Sequence, residues 1–296
     1  MNFLQKITAM EIQPDDRISE SDRSYCERHQ KAYEAAISSF KELSFFWSDM
    51  ESVQRELLGE KEYRKYLTSR EGPPVSQDLI ERHIKALHHS FISDLVRHFN
   101  STYHVSVDLA EVAGTLLPKE PEEHWRAGYK EQCTAYHEQI QSLTVRYQNV
   151  VEQVILQLDG RTFTERAFQE LYDKCHSAAW NTHKREPKFE CRKDTISFIG
   201  YFCRFKGWPY NGWELDNGMQ DILWGAAHFE TGSYGVLPYG FSRLFAHHEM
   251  KEPTVEFPAC EKVKQMKLFK NNRVDLKFYS PEYAEQFVGK YLGTVG

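Results

Sequence analysis

The C-terminal stretch MKLFKNNRVDLKFY, Met266–Tyr279, constrains the fold of this chain more than any other segment. Side chains on a β-strand alternate between two faces, and a register shift of one residue moves every side chain to the other face. Two apolar residues on the first arm and three on the second can share one face only if the connecting loop has an odd number of residues. These are Met266, Leu268, Val274, Leu276 and Phe278. The segment is therefore predicted to be a β-hairpin, residues 264–279, with an odd loop.

A three-residue loop over Asn271–Arg273, with a left-handed residue near its end, satisfies this parity. The predicted pairs are Leu268 with Leu276 and Met266 with Phe278. The opposite face carries Lys267, Phe269, Asp275 and Lys277. In this register Lys267 lies across from Lys277, and two like charges repel there unless an anion lies between them, which hints at an acidic partner.

A helix is predicted to follow the hairpin and close the chain. Ser280 is a favoured N-cap residue, Pro281 suits the first helical position, and Glu282 lies in the first turn. The expected packing residues of this helix, Glu282–Leu292, are Tyr283, Phe287 and Leu292.

The composition limits the classes of function. The net charge is −6 and the pI is about 6.1, so any nucleic-acid site must be a local patch rather than a global basic surface. The six cysteines are dispersed without a CxxC pair, which favours reduced thiols in a cytoplasmic protein over a disulfide framework or a zinc site. No segment is long and apolar enough for a signal peptide or a membrane span, so no membrane partner is expected.

The first part of the chain, residues 21–185, is predicted to be helical, after a poorly ordered segment at 1–20. Two long helices are expected, Asp22–Leu58 and Glu122–Leu158, each with apolar residues at alternating steps of three and four. Such helices are typical of a bundle, and the alternative is an arm for a homodimer or for a host protein.

Further elements are predicted between and beyond these helices. We expect a helix over 76–100, a strand over 103–109, a helix opened by the capping box Thr162–Glu165, a buried helix (or, second, a strand) over 196–205, a turn at Gly207–Gly212, and a helix ending near Gly232. The run KREPK, Lys184–Lys188, is the predicted boundary to a C-terminal region, 186–296. The predicted fold class is α+β, predominantly helical: a long-helix N-terminal bundle and a C-terminal α+β part with the hairpin and a closing helix.

Basic and aromatic residues alternate in residues 189–213, and the hairpin adds more basic residues. Aromatic side chains beside Arg or Lys bind single-stranded nucleic acid by stacking, although the same aromatics can instead fill a core beneath the hairpin. The candidate binding residues, for nucleic acid or another partner, are Arg192, Lys193, Arg204, Lys206, Trp208, Lys267, Phe269, Lys270, Arg273 and Lys277.

No residue set indicates a reaction, so no catalytic residue, metal or cofactor is assigned. A glycine-rich cofactor turn and a methyltransferase loop are both missing from the sequence. His247, His248 and Glu249 are the basis of a metal-dependent hydrolase as an alternative. Cys175 and His176 are adjacent on a helix and point about 100° apart, so they do not form a nucleophile–base pair.

Three segments resemble a family of uncharacterised proteins from cryptic prophages and plasmids, the YfjQ/YafZ-like group. They are residues 80–105, residues 192–208 with the helix that follows, and the hairpin with its closing helix. The resemblance covers about half of the chain. It implies a mobile-element protein that works near DNA, because some members are fused to an adenine-methyltransferase domain. The leading hypothesis is a non-enzymatic protein that binds nucleic acid or a nucleoprotein complex, and the alternative is an inhibitor that binds a protein of a host defence system.

Overall fold

The computed structural model describes residues 17–67, 76–121, 128–181, 183–209, 211–245 and 250–293. These residues form two compact units. The first contains the described residues up to Thr102 and Ser106–Gly160, and the second contains Tyr103–Val105 and the described residues from Arg161 onwards. The division falls at Gly160–Arg161, whereas the sequence prediction placed a boundary at Lys184–Lys188. Residues 1–20 were predicted to be poorly ordered. Residues 1–16 lie outside the described residues, but Ile18 is buried and Ser19 caps the first helix, so the prediction is wrong for these last residues.

The first unit is helical. Its elements are α1 (Glu20–Leu58), a 3-10 turn (Tyr63–Tyr66), α2 (Gln77–Tyr103), α3 (Leu109–Leu116), α4 (Tyr129–Ser142) and α5 (Tyr147–Leu156). Ser19 begins α1 with a capping box, because its hydroxyl accepts from the Asp22 amide and the Asp22 carboxylate accepts from the Ser19 amide. The predicted inward face of α2 is buried at Ile80, Ile84 and Phe99 among others.

The single long helix predicted over 122–158 is wrong within the described residues, because the chain is extended between α4 and α5. The backbone of Leu143 and Arg146 has ψ near 140°. Two side chains of α1 bond the backbone of this extended segment. The Tyr33 hydroxyl accepts from the Val145 amide, and the Gln30 side chain donates to the Val145 carbonyl and accepts from the Tyr147 amide. These long-range hydrogen bonds replace the helical ones, and apolar spacing in the sequence does not reveal them.

The strand predicted over 103–109 is also wrong. Val105 and Val107 are buried and alternate with a polar residue as expected, but no ladder partner is present in the described chain. Instead the Asn100 side chain bonds both the amide (2.9 Å) and the carbonyl (3.1 Å) of Val107. The segment is an extended link between α2 and α3.

The second unit combines helices with an antiparallel sheet. Its elements are α6 (Phe163–Ala179), β1 (Trp180–Asn181), β2 (Glu186–Pro187), β3 (Phe189–Arg192), β4 (Thr195–Phe198), β5 (Cys203–Lys206), β6 (Gly212–Leu215), α7 (Asn217–Thr231), α8 (Ser242–Phe245), β7 (Thr254–Glu256), β8 (Val263–Leu268), β9 (Val274–Phe278) and α9 (Pro281–Phe287), which continues as a π turn (Val288–Leu292). Five strands form the sheet β3-β4-β9-β8-β7, and β1-β2 and β5-β6 are separate pairs. The predicted class, α+β and predominantly helical, is confirmed.

The helix predicted over 196–205 is wrong, and its alternative as a strand is closer. Ile196 and Phe198 lie on β4 in the middle of the sheet, where both are buried. Gly200, between β4 and β5, has a φ of 131°, a backbone conformation that residues other than glycine rarely adopt. An apolar run that is buried on one face of a sheet resembles a buried helix in sequence, which explains the error.

The C-terminal hairpin has the predicted odd loop and apolar face, but a different register. The loop is Lys270–Asn272, because the Phe269 amide donates to the Arg273 carbonyl at 3.0 Å, and Asn272 is left-handed with a φ of 68°. Leu268 pairs with Val274 and Met266 with Leu276, so each predicted pair was wrong by two residues. All five apolar side chains remain buried, because a shift of two preserves the face.

Lys267 accordingly lies across from Asp275 and not from Lys277. The like-charge argument for an acidic partner no longer holds. Helices pack on the apolar face, where Phe278 contacts Phe229 of α7 and Phe287 of α9 with ring centroids 6.2 Å and 5.4 Å apart. Ser280 caps α9 with Pro281 in its first turn, as predicted.

Candidate functional site

Two hairpins of the second unit meet at the loop end of the sheet. The amides of Phe202 and Cys203, at the start of β5, both donate to the Asn272 carbonyl at 3.1 Å and 3.3 Å. The Cys203 thiol donates to the Arg273 carbonyl at 3.4 Å. These bonds place the β5–β6 hairpin beside the β8–β9 loop, so candidate residues from distant parts of the sequence become neighbours.

The structure divides the candidate residues of this region into two groups. The loop cluster consists of Lys267, Phe269, Lys270 and Arg273. The hairpin patch consists of Arg204, Lys206 and Trp208, together with Tyr201, which precedes β5. Because side chains alternate along a strand, Phe205 faces the loop cluster, whereas Arg204 and Lys206 lie on the opposite face of β5.

Of the remaining candidates, Arg192 and Lys193 lie at the other end of the sheet, and Lys277 lies between them and the loop cluster. Lys277 pairs with Thr195, next to the β3–β4 turn that carries Lys193. At a rise of 3.3 Å per residue, Lys277 is about 13 Å along β9 from Arg273 but only about 7 Å along the strand from Asp275, the partner of Lys267. Because Arg204 and Lys206 lie on the opposite face of β5 from the loop cluster, the ten candidates do not form one continuous patch.

The interleaved aromatics divide between core and surface. Phe189, Phe198 and Trp213 are buried, and half-buried Phe205 packs edge-on against Trp213 with centroids 5.0 Å apart. In contrast, Tyr201 is 84% exposed and Trp208 is 89% exposed. The prediction that these aromatics fill a core thus holds for the buried ones, whereas Tyr201 and Trp208 lie on the surface and Tyr210 lies outside the described residues.

Acidic neighbours neutralise most of the basic candidates. Glu214 accepts from Arg204 at 2.8 Å and lies 3.1 Å from the Lys206 ammonium. Hydrogen bonds from Arg204 first, and then from Lys206, lower the pKa of the Glu214 carboxyl. The other acidic partners are Glu190 for Arg192, Asp275 for Arg273 and Asp194 for Lys277.

Three of the candidate lysines have no acidic partner in the described part of the chain: Lys193, Lys267 and Lys270. Two of them lie over aromatic rings, Lys267 over Phe269 at 5.3 Å and Lys270 over Phe205 at 5.1 Å. Arg273 also covers Phe269, at 4.0 Å from the ring centroid. Cation–π contacts of this kind hold cations beside a flat apolar surface and leave their charge available to an anion.

A cleft of about 410 Å³ lies between the hairpin patch and the loop. Its polar lining comes from Tyr201, Arg204, Glu214, Asp216, Asn217 and Asn272. Two carboxylates and one guanidinium make the cleft unsuited to a phosphate, whereas the amides and the phenol suit the hydrogen-bonding edge of a neutral planar group. Sequence reasoning missed Asn217 and Asn272, which only tertiary structure brings to one place.

The buried thiols do not support nucleophilic catalysis. Burial raises the pKa of the Cys175 thiol to about 12, and its Sγ donates to the Asp221 carbonyl at 3.3 Å. Burial also raises the pKa of Cys203. His176 stacks between Tyr172 and Trp180 instead of contacting a nucleophile. A low pKa and access to substrate are what a reactive cysteine needs, and Cys175 has neither.

Metal ligation can be judged only for part of the chain. His247, His248 and Glu249, the residues of the hydrolase alternative, lie outside the described residues. Within the described ranges, no group of three or more His, Cys, Asp or Glu side chains is placed to hold a metal ion. No described helix is long and apolar enough to cross a membrane.

Comparisons with known proteins leave the geometry as the basis for function. No protein-family model, no curated protein and no solved structure matches the chain. The resemblance to the YfjQ/YafZ-like family stays a prediction.

Proposed function

We propose that this chain is a non-enzymatic mobile-element protein whose second unit binds nucleic acid, alone or within a nucleoprotein complex. The observation that supports the proposal is the hairpin patch, in which the exposed Tyr201 and Trp208 precede and follow Arg204 and Lys206 along the chain. Leaving two large aromatic side chains in water is unfavourable compared with burying them, and an exposed apolar patch marks a binding site. Stacking of bases on these rings would remove them from water and contribute about 1–3 kcal/mol for each base.

The charge distribution indicates how such binding would work. Arg204 and Lys206 share one carboxylate, so the hairpin patch carries little net positive charge. Lys267 and Lys270 of the loop cluster add two cations without acidic partners. Stacking therefore supplies more of the affinity than phosphate contacts do, and we expect single strands, whose bases are accessible, to bind better than duplexes.

The decisive experiment measures fluorescence anisotropy of a labelled single-stranded oligonucleotide, as DNA and as RNA, against the full chain. Replacing Trp208→Ala should weaken binding by about tenfold, because one stacked base is lost. Tyr239→Ala is the matched control, since Tyr239 is 79% exposed in the same unit but lies outside the hairpin patch. It should leave the affinity unchanged.

Salt dependence provides a second measurement. Two or three phosphate contacts give a slope of log K against log salt concentration of about −2 for a single strand. Lys267→Ala combined with Lys270→Ala should flatten that slope. The proposal fails if the chain binds neither oligonucleotide, or if Trp208→Ala and Tyr239→Ala weaken binding equally.

A second candidate function is the protein-binding inhibitor of a host defence system. The observation that favours it is an exposed apolar surface on α1, in the first unit. A complex that survives nuclease treatment, and that Trp208→Ala does not weaken, would support this candidate over nucleic-acid binding.

A further inference from the structure

The second half of α1 exposes a continuous apolar surface. Its residues, here named the α1 stripe, are Leu43, Phe46, Met50, Val53 and Leu57. Phe46 is 64% exposed and Leu57 is 73% exposed, so neither is covered within the described structure. Single exposed apolar residues are ordinary on a protein surface, but a continuous group of them marks an interaction site.

The spacing of the residues in the α1 stripe indicates the secondary structure of a binding partner. The steps are three, four, three and four residues, which are the a and d positions of a heptad repeat. A surface of this kind accepts the side chains of one second helix, packed as knobs into holes along it. The occupant is therefore a helix and not an extended peptide or a small molecule.

One edge of the α1 stripe is acidic along its whole length. Glu42, Asp49 and Glu56 follow one another at intervals of seven and occupy the g positions beside the stripe, and all three are exposed. None of them forms an ion pair with a described residue, and the Glu42 carboxylate accepts only a 3.4 Å bond from Ser38. Charges at such edge positions select the partner of a coiled coil.

The other edge faces the interior of the first unit. Trp47 occupies an e position and is buried, with its indole N–H donating to Glu51 at 3.1 Å. Gln54, one heptad further, is half-buried. Only the acidic edge is thus available to a partner.

This asymmetry argues against a second copy of the chain as the occupant. An antiparallel pair of α1 helices would place acidic edge against acidic edge, which is unfavourable. A parallel pair needs contact between g and e positions, but at the e edge Trp47 is buried and Gln54 is half-buried within the unit. The predicted homodimer through the long helices stays a prediction, and these charges disfavour it.

We propose that the α1 stripe binds an amphipathic helix of a partner protein that carries a heptad of apolar residues bordered by Lys or Arg. The apolar residues of that helix cover Phe46 and Leu57, and its cations lie against Glu42, Asp49 and Glu56. This site is in the other unit from the hairpin patch, so it does not depend on the nucleic-acid proposal.

The test uses two synthetic helical peptides of about 21 residues, three heptads long, with Leu at a and d. One has Lys at e and g, and the other has Glu there. Labelled at one end, each is titrated with the full chain and followed by fluorescence anisotropy. The Lys peptide should bind at least about tenfold more tightly, because the Glu peptide places like charges together.

Adjacent phenylalanines provide a matched pair of variants. Phe46→Ser removes an aromatic anchor from the α1 stripe and should weaken the Lys peptide by about tenfold or more. Phe45→Ser removes the same side chain from the next residue, which is 77% exposed but points about 100° away. It should leave the affinity unchanged. Asp49→Lys together with Glu56→Lys should reverse the preference between the two peptides.

Three results would overturn the proposal. One is equal binding, or no binding, of the two peptides. Another is an equal loss in Phe45→Ser and Phe46→Ser, which would indicate non-specific attraction to an acidic protein. The third is a dimer in sedimentation equilibrium that Phe46→Ser dissociates, which would make a second copy the occupant. Circular dichroism of each variant checks that α1 remains helical.

Discussion

Each unit contains a short non-helical segment held by hydrogen bonds, but the bonds are of different kinds in the two units. In the first unit, the extended link Leu143–Arg146 between α4 and α5 is bonded by side chains from a distant helix. The Val145 amide donates to the Tyr33 hydroxyl at 3.1 Å, and the Tyr147 amide donates to Oε1 of the Gln30 side chain at 2.7 Å. In the second unit, the loop Lys270–Asn272 is closed by its own backbone bonds and one left-handed residue.

The side-chain hydrogen bonds that hold the Leu143–Arg146 link in the first unit are here named the first closure. Chemistry assigns the donor and the acceptor in each of these bonds. The His88 Nε2 lies 3.0 Å from the Ile140 carbonyl, which can only accept, so Nε2 carries a proton. In neutral His88, Nδ1 then accepts from the Tyr33 hydroxyl at 2.8 Å. One continuous chain of bonds thus connects Val145, Tyr33, His88 and Ile140.

The two kinds of bonding predict which substitutions lower the stability of each unit. A closure made of buried side-chain hydrogen bonds fails when one partner is removed or changes its protonation state. A closure made of local backbone geometry responds instead to the conformational preference of one residue. The predictions below rest on that contrast.

The largest effect is expected for Tyr33→Phe in the first unit. The hydroxyl serves two partners, so its removal leaves both the Val145 amide and His88 Nδ1 unsatisfied in the interior. We expect the free energy of unfolding to fall by about 2–3 kcal/mol, because each buried orphan costs about 1–3 kcal/mol. Chemical denaturation monitored by circular dichroism measures it.

The second unit supplies a matched control in Tyr291→Phe. The Tyr291 hydroxyl is also buried beside a histidine, with His228 Nδ1 at 2.7 Å, but it serves that one partner among the described residues. Its loss should cost about 1 kcal/mol. Equal losses in the two variants would show that the first closure does not depend on its network.

Much of the second unit could be predicted because local signals decide it. The parity of five apolar residues fixed the loop as odd and identified the buried face, and Ser280–Pro281 marked the start of α9. The register could not be read, because a shift of two residues leaves every side chain on its own face. The link at Leu143–Arg146 was missed because its partners, Gln30 and Tyr33, lie more than a hundred residues away.

The candidate site shows the same limit. Residue types alone made Arg204, Lys206 and Trp208 candidates, but could not show that Glu214 pairs with both cations across β5–β6. Nor could spacing distinguish exposed Trp208 from buried Trp213, because both lie near the same turn. Charge pairing and burial depend on which strands become neighbours, and that information is tertiary.

A smaller effect is expected from pH. Burial lowers the pKa of His88 from its ordinary value of 6.5, because desolvation disfavours the charged ring. The unfolded state then binds more protons than the folded state, so stability is present above pH 6.5 and is lost as the pH falls below that value. The free energy of unfolding should therefore be lower at about pH 5.5 than at about pH 7.5.

The variant His88→Gln tests whether the titration of His88 causes this pH dependence of stability. Glutamine keeps one donor and one acceptor but does not titrate, so the variant should show a weaker pH dependence than the natural chain. Burial also lowers the pKa of His228, so some dependence will remain. If His88→Gln has the same pH dependence as the natural chain, the titration of His88 does not govern the first closure.

The smallest effect, and the one of opposite sign, is expected at the loop of the second unit. Asn272→Gly should raise the free energy of unfolding by about 0.5 kcal/mol, because glycine adopts a positive φ without the steric cost that asparagine retains. Asn271→Gly should instead lower it by about 0.5–1 kcal/mol, since Asn271 is not left-handed and its side chain accepts a 3.4 Å bond from the Arg273 amide. The two changes are chemically identical and one residue apart, so opposite signs in denaturant titrations would report the different local conformations of the two residues, together with the side-chain bond that only Asn271 makes. Losses at both positions would mean that this loop, like the link at Leu143–Arg146, depends on its side chains.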